Sequence, residues 1–342
     1  MRKWIIPAGS TAGPAALRLI EAASPGPGAR EVKIAVKACS TNYRDFGVAA
    51  GKYFFGPVQV DTVPLSDGAG DIIAVGPGVT DWKIGDRVAG CFFQRWQDGP
   101  FGAHVLRSDL GGPVQGMLAE EVVLAADGVV RIPSHLSFEE AATLPCAAVT
   151  AWNALFEIAR LRPGETVLTL GTGGVSIFAL QFAKAAGLSV IATSSSDAKA
   201  RRARELGAAH TINYRSTPDW DAEVLKLTGG AGVDAVIEVG GAGTLPRSLN
   251  AVRPGGIVAL IGVLDQPGGA ISPLPLIGKA ITLAGTYVGS RAMFVAMNRF
   301  MEAAGLHPVI DEVFAFEKAP DAYAHQRSGS HLGKVVIALS QP

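Results

Sequence analysis

From Glu165 onward, short apolar runs and helix-forming runs alternate, and this alternation limits the fold more than any other feature of the chain. Residues 166–170 and 189–192 read as strands. Residues 177–186 and 197–206 read as the helices that follow them, and residues 233–237 and 257–261 read as later strands. Parallel strands need a long crossover, usually a helix, and such crossovers are almost always right-handed. The expected architecture is therefore α/β, with a doubly wound parallel sheet.

The first third of the chain has a different texture. Residues 31–36, 70–76, 86–90 and 120–124 read as short strands separated by Gly- and Pro-rich turns, with little helix between them. Residues 138–160 read as one helix, closed by Leu161-Arg162-Pro163-Gly164. After about Tyr287 come a helix over 292–304 and two strand-like runs, the last over 334–339. This tail is expected to complete the first domain, with boundaries at 1–147, 148–286 and 287–342.

Bulk properties remove several classes of function. Lys plus Arg and Asp plus Glu number 30 each, a formal net charge of zero, whereas binding to a phosphate backbone needs a basic excess. No nucleic-acid partner is expected. The three cysteines, Cys39, Cys91 and Cys146, are odd in number and far apart, which points to a reducing compartment. The apolar run at the N-terminus stops at Pro7, and no stretch approaches the roughly 20 apolar residues of a membrane span. The expectation is a cytoplasmic protein that makes no membrane contact.

Between the strand ending at Leu170 and the next helix lies Gly171-Thr172-Gly173-Gly174-Val175-Ser176. Glycines in such a turn let backbone N–H groups approach a pyrophosphate at a helix N-terminus. Gly171, Thr172, Gly173, Gly174 and Val175 are accordingly dinucleotide-binding candidates, with serine standing where the fingerprint's last glycine would be. The second strand runs into Thr193-Ser194-Ser195-Ser196 without the carboxylate that usually holds the 2′-OH of NAD. Hydroxyls of Ser194 and Ser195 with Lys199 suit a 2′-phosphate instead, so NADPH is the expected cofactor. The plainer reading of Lys199, Arg201 and Arg202 is the solvated face of a helix. Gly262 and Val263, directly after the strand over 257–261, are further cofactor candidates.

Five segments in this order resemble the medium-chain dehydrogenase/reductase superfamily: residues 39–45 (Cys-Ser-Thr-Asn-Tyr-Arg-Asp), 64–70 (Pro-Leu-Ser-Asp-Gly-Ala-Gly), 85–88, 141–146 with Thr150, and the glycine turn. The resemblance implies a Rossmann domain inserted in a GroES-like β-rich catalytic domain built from both chain ends. It also implies a homodimer or homotetramer. Zinc-dependent members carry cysteine, histidine and cysteine where this sequence has Asn42, Ser66 and Cys146. Asparagine and serine are poor zinc ligands, and only Cys91 remains where a four-cysteine structural site would lie. A zinc-free site is expected.

Without a Lewis acid, hydrogen-bond donors must stabilise the developing negative charge. Hydride addition to an enone or quinone spreads that charge into an enolate or phenolate, which modest donors can stabilise. The implied substrate is a small carbonyl, enone or quinone compound. By resemblance, Asn42 lies beside the nicotinamide, Thr150 packs on it, Tyr214 lies by the 2′-phosphate, and Lys334 lies near the cofactor phosphates. Tyr43 follows Asn42 as a second candidate donor. Tyr53, in Gly51-Lys52-Tyr53, resembles the proton donor of enoyl-thioester reductases, against the plainer reading of a pocket aromatic. Two alternatives stay open: reversible alcohol/aldehyde interconversion, and NADPH binding without catalysis.

Overall fold

The computed structural model describes residues 1–264 and 272–339. The chain divides into two compact units, one of Met1–Val149 with Gly289–Pro342 and the other of Thr150–Val288.

The first unit opens with an antiparallel pair, β1 (Arg2–Ile5) and β2 (Arg18–Glu21). Its main sheet uses β3 (Glu31–Ser40), β4 (Asp67–Val75), β5 (Arg87–Gly90), β6 (Glu121–Ala125) and β7 (Val129–Arg131). Side chains alternate between half-buried and buried over the first four residues of β3, as expected for a strand with one solvated face. Its last three residues are all buried, so the end of the strand is covered on both faces. The short helix α1 (Arg44–Ala49) follows directly.

The helix expected over 138–160 does not form as one piece. The helix α2 (Phe138–Ala141) starts from a capping box between Ser137 and Glu140. Wider π-type turns at Leu144–Ala148 and Asn153–Ile158 then flank α3 (Val149–Trp152). Pro145 has no N–H to continue an α-helical ladder, and the N–H of Cys146 points to Asp67 Oδ2, 3.3 Å away. The irregularity therefore delivers a backbone donor to a buried carboxylate.

The second unit holds β8 (Thr166–Thr169), α4 (Gly174–Ala185), β9 (Ser189–Ser194), α5 (Asp197–Glu205), β10 (His210–Asn213), α6 (Trp220–Leu227), β11 (Val233–Glu238), α7 (Leu245–Ala251), β12 (Val252–Leu260), α8 (Leu274–Gly278) and β13 (Thr282–Gly285). Its six strands are all parallel, in the order β10-β9-β8-β11-β12-β13. The order reverses between β8 and β11, the place where doubly wound sheets open a crevice for ligands. The helix α4 packs on β8 and β9, and α7 on β11 and β12. Leu168, Ile191, Val236 and Val258 fill the core.

The chain then returns to the first unit as α9 (Arg291–Ala304), β14 (Ile310–Ala315), α10 (Ala319–Ser328) and β15 (Lys334–Ala338). The strand β15 pairs antiparallel with β3, placing Val336 opposite Ser40, and β4 pairs with the other edge of β3, placing Asp67 opposite Ser40. Val36, Ile72, Val88, Tyr323 and Ile337 join these strands and α10 in one apolar core. Among the described residues, no helix is long and apolar enough to cross a membrane.

The contact between β3 and β4 is tight enough to test. A Cβ on Gly70 would lie 2.1 Å from the Ala35 carbonyl oxygen, so Gly70→Ala must push the strands apart. This variant is expected to lose about 2–4 kcal/mol in urea denaturation; an unchanged midpoint would contradict the packing described.

Candidate active site

Three neighbouring strands bring their ends together in the first unit. Lys334 begins β15, Asn42 follows the end of β3, and Asp67 begins β4. The Lys334 ammonium is 3% exposed in a protein whose lysines would ordinarily be solvated. It donates to the Thr41 carbonyl oxygen (2.7 Å) and to Asn42 Oδ1 (2.6 Å). Asp67 Oδ2 lies 3.6 Å from it. The Asp67 carboxylate, wholly buried, also accepts from the Ser66 hydroxyl (2.7 Å), from the Ser40 hydroxyl and from the Cys146 N–H. Asn42, Ser66 and Cys146 are thus linked through one ion pair.

The Asn42 backbone N–H donates to Asp45 Oδ2 (2.6 Å), which fixes the turn into α1. Its side-chain Nδ2 is buried and has no hydrogen-bond partner. A buried donor left unpaired costs about 1–3 kcal/mol, so each such group needs a physical reason, a catalytic role or a bound water or ion among them. Arg44 is used locally: its guanidinium donates to Asp109 (2.5 Å) and to the Leu110 carbonyl (2.9 Å) and lies 4.7 Å from the ring centres of both Tyr53 and Phe92.

This cluster holds two cations, Arg44 and Lys334, and three carboxylates, Asp45, Asp67 and Asp109, so its formal charge is negative when all are ionised. The strain falls on Asp45. Burial pushes its carboxyl up from 3.8 to about 7, reinforced by Asp67 and opposed by Arg44, the Asn42 N–H and Lys334. Asp109 is raised as well, again chiefly by burial. Burial and the Asp67 charge drive the Cys146 thiol well above its ordinary range, which keeps it protonated.

The other candidates in this unit lie around the cluster. Tyr43 is 55% exposed and meets Phe46 edge-on. Tyr53 is half-buried, packed against Phe54, Phe55 and the Arg44 guanidinium. Among the described residues, one group of three His, Cys or carboxylate side chains is close enough to share a metal ion: Asp311, Glu312 and His325. Asn42, Ser66 and Cys146 are not part of it.

In the second unit, the glycine turn sits where the strand order reverses. Gly171 has φ +72°, a conformation that disfavours any side chain, and its N–H donates to Thr193 Oγ1 (3.0 Å). Thr172 is buried, Gly173 caps α4, and Gly174 and Val175 form its first turn, whose N–H groups lack intrahelical acceptors. Open space surrounds the position where Gly173 would carry a Cβ. Ser176 explains the departure from the glycine fingerprint: its hydroxyl donates to the Leu170 carbonyl (2.6 Å), tying helix to strand.

Across the reversal point, Glu238 ends β11 fully buried. Its carboxylate accepts from Gly240 N–H (2.7 Å), Gly241 N–H (3.0 Å), the Thr244 hydroxyl (2.6 Å) and the Ser248 hydroxyl. These bonds shape the turn that faces the glycine cradle across the sheet order. Gly262 approaches that turn so closely that a Cβ would meet the Val239 carbonyl oxygen at 2.3 Å, and Val263 beside it is 56% exposed.

The end of β9 is serine-rich, with most of its groups already in use. Ser194 is buried, and its carbonyl accepts from Tyr214 N–H (3.0 Å). Ser196 caps α5 by accepting from Lys199 N–H (3.3 Å). Ser195 and Lys199 are half-buried and Tyr214 is exposed. Arg202 pairs with Glu205. The nearby carboxylate, Asp197, accepts from Asn213 Nδ2 (2.8 Å). Thr150, 3% exposed, lies in α3.

Sequence reasoning does not single out Glu238 or Asp67, although each has a signal: a carboxylate at the boundary of an apolar strand, with glycine one position on for Asp67 and two positions on for Glu238. Asp45 enters the sequence reading only as the last residue of the 39–45 segment.

A glycine turn on a doubly wound sheet in one unit, and a buried polar cluster in the other, are the features of a nucleotide-dependent oxidoreductase. Residues 28–134 match the family described as the alcohol dehydrogenase GroES-like domain, and residues 174–303 match that described as zinc-binding dehydrogenase. A zinc-type alcohol dehydrogenase-like protein of Schizosaccharomyces pombe is 46% identical over 315 residues, 90% of this chain and 91% of its own. Quinone oxidoreductase of Pseudomonas aeruginosa is 32% identical over 339 residues, 95% and 96% of the two chains. A solved NAD-dependent alcohol dehydrogenase superposes with a TM-score of 0.90 at 33% identity, covering 99% of this chain and 100% of the other. The chain belongs to the medium-chain dehydrogenase/reductase superfamily and is an NAD(P)H-dependent oxidoreductase.

Asp45 gives the cluster a pH signature. Its folded-state pKa is raised from 3.8 to about 7, so the folded protein holds this proton more tightly than the unfolded chain does. The resulting stabilisation is full below about pH 4 and is lost as pH rises to about 7. In denaturant titrations Asp45→Asn should flatten the stability profile over that window; a wild-type profile that the substitution leaves unchanged would contradict the assignment.

Proposed function

We propose that this protein is a zinc-independent, NADPH-dependent reductase that transfers hydride to an activated C=C bond or a quinone. The observation that carries this reading is the donor set around Asp67. Zinc needs several thiolate, imidazole or carboxylate ligands, and Asn42 and Ser66 supply neither thiolate nor imidazole. Cys146 alone of the three could offer a thiolate, and the Lys334 ammonium lies against Asn42 Oδ1, where its charge would oppose a second cation. These residues do not fit a catalytic zinc.

The bound nicotinamide would supply the hydride. The chain's own part is binding and charge stabilisation. The backbone N–H groups of Gly174 and Val175 suit the pyrophosphate, with Gly171, Thr172 and Gly173 shaping the turn. Absence of a carboxylate at the end of β9, together with Ser195, Lys199 and Tyr214, favours the 2′-phosphate of NADPH. The unpaired Asn42 Nδ2–H is the donor for the acceptor oxygen as negative charge develops on it. One neutral donor suffices for an enolate or phenolate and is poorly suited to an alkoxide. The relationship to a quinone oxidoreductase is consistent with such acceptors.

The test follows nicotinamide absorbance with a small quinone, an enal, an enoyl thioester and a saturated aldehyde, each with NADPH and with NADH. Turnover of the unsaturated acceptors, faster with NADPH, is expected; turnover of the saturated aldehyde alone would refute the reading. Asn42→Asp keeps the acceptor for Lys334 and removes the donor, so kcat should fall by about 10²-fold, the cost of losing one oxyanion-type donor.

A further inference from the structure

The Asn42 amide is held in one orientation by a group that can only donate. An ammonium has three N–H donors and no acceptor, so its 2.6 Å contact must be with Asn42 Oδ1, and Nδ2 must face away from Lys334. The side chain therefore cannot flip without losing a charge-assisted hydrogen bond and placing N–H groups against N–H groups. The ammonium is fixed in turn by the Thr41 carbonyl at 2.7 Å and by Asp67 at 3.6 Å. Two of its N–H groups are thus taken by protein oxygens, Asp67 lies at ion-pair distance, and at 3% exposure little of the ammonium is open to a phosphate.

We propose that Lys334 is a positioning residue, not a phosphate contact: it locks and polarises the Asn42 amide so that the unpaired Nδ2–H is presented to the acceptor oxygen. The inference rests on the donor role given to Asn42 above, and it extends that role to a residue from the far end of the chain. Drawing electron density from Oδ1 makes the Nδ2–H a stronger donor, as in other linked hydrogen bonds. Asp67 completes the arrangement by neutralising the ammonium, which would otherwise be buried unpaired.

The test compares the wild type with Lys334→Met and Lys334→Leu, neither of which offers a donor to Oδ1, the second serving if the first fails to fold. Positioning predicts that kcat falls about tenfold, equivalent to one lost hydrogen bond to a charged group, while the Kd for NADPH, read by fluorescence quenching, stays within about twofold. Lys334→Arg, which keeps a donor against Oδ1, should restore much of kcat. A Kd weakened about tenfold with kcat unchanged at saturation would overturn the proposal in favour of a phosphate contact. A second readout needs no turnover: the side-chain amide pair of Asn42 in the nitrogen–proton NMR spectrum, assigned by its loss in Asn42→Asp. It should shift in Lys334→Met and Lys334→Leu and stay close to its wild-type position in Lys334→Arg. An unmoved pair in Lys334→Met or Lys334→Leu overturns the proposal. If the wild type reduces no unsaturated acceptor, the proposed activity fails, and the NMR result alone still decides whether Lys334 orients Asn42.

Discussion

The buried ion pair between Lys334 and Asp67 is the interaction on which the first unit's polar cluster depends. Neither charge is tolerable in an apolar interior alone, and each is satisfied only because two antiparallel pairings place β15 and β4 on opposite edges of β3. The pair sits at the covered end of β3, where burial on both faces excludes water. Two irregularities follow from it. The Cys146 N–H, freed from a regular helix by Pro145, turns to Asp67, and the Asn42 amide is oriented by Lys334. A chain that formed the same sheet without this pair would have no reason to hold either feature.

Surplus negative charge is the second consequence. Three buried carboxylates face two cations, and the imbalance is relieved at Asp45, which burial and Asp67 push toward protonation near neutral pH. Asp45 also caps the turn that carries Asn42. The same side chain therefore links the position of the unpaired donor to the protonation state of the cluster. In the second unit Glu238 has a comparable structural role with a different solution: four donors surround one fully buried carboxylate, and the turn after β11 takes its shape from them.

Much of the fold was legible because period and punctuation agree. The parallel sheet followed from alternating apolar strands and helices, and the cradle from Gly171, Gly173 and Gly174 standing between a strand and a helix. The helix over 138–160 was misread because its apolar spacing suits a helix, while Pro145 and the demand of Asp67 for a donor favour wider turns. That demand is long-range and leaves no local pattern. Resemblance puts Lys334 near the cofactor phosphates; sequence alone cannot show that antiparallel pairing with β3 also brings its ammonium to Asn42, 292 residues away. Ser176 departed from the glycine fingerprint, and only the coordinates reveal that its hydroxyl satisfies the Leu170 carbonyl. Glu238 and Asp67 carry a readable signal, a carboxylate at the edge of a buried strand with glycine within the next two positions.

In the proposed function the cation serving this polar cluster is Lys334 and not a metal ion. Metal content per protomer, measured by elemental mass spectrometry on the purified full-length protein after growth with supplementary zinc, tests it most directly when paired with turnover before and after dialysis against a chelator. The account predicts far less than one zinc per protomer and activity that chelation leaves unchanged. One zinc per protomer, removed by the chelator together with the activity, would contradict it.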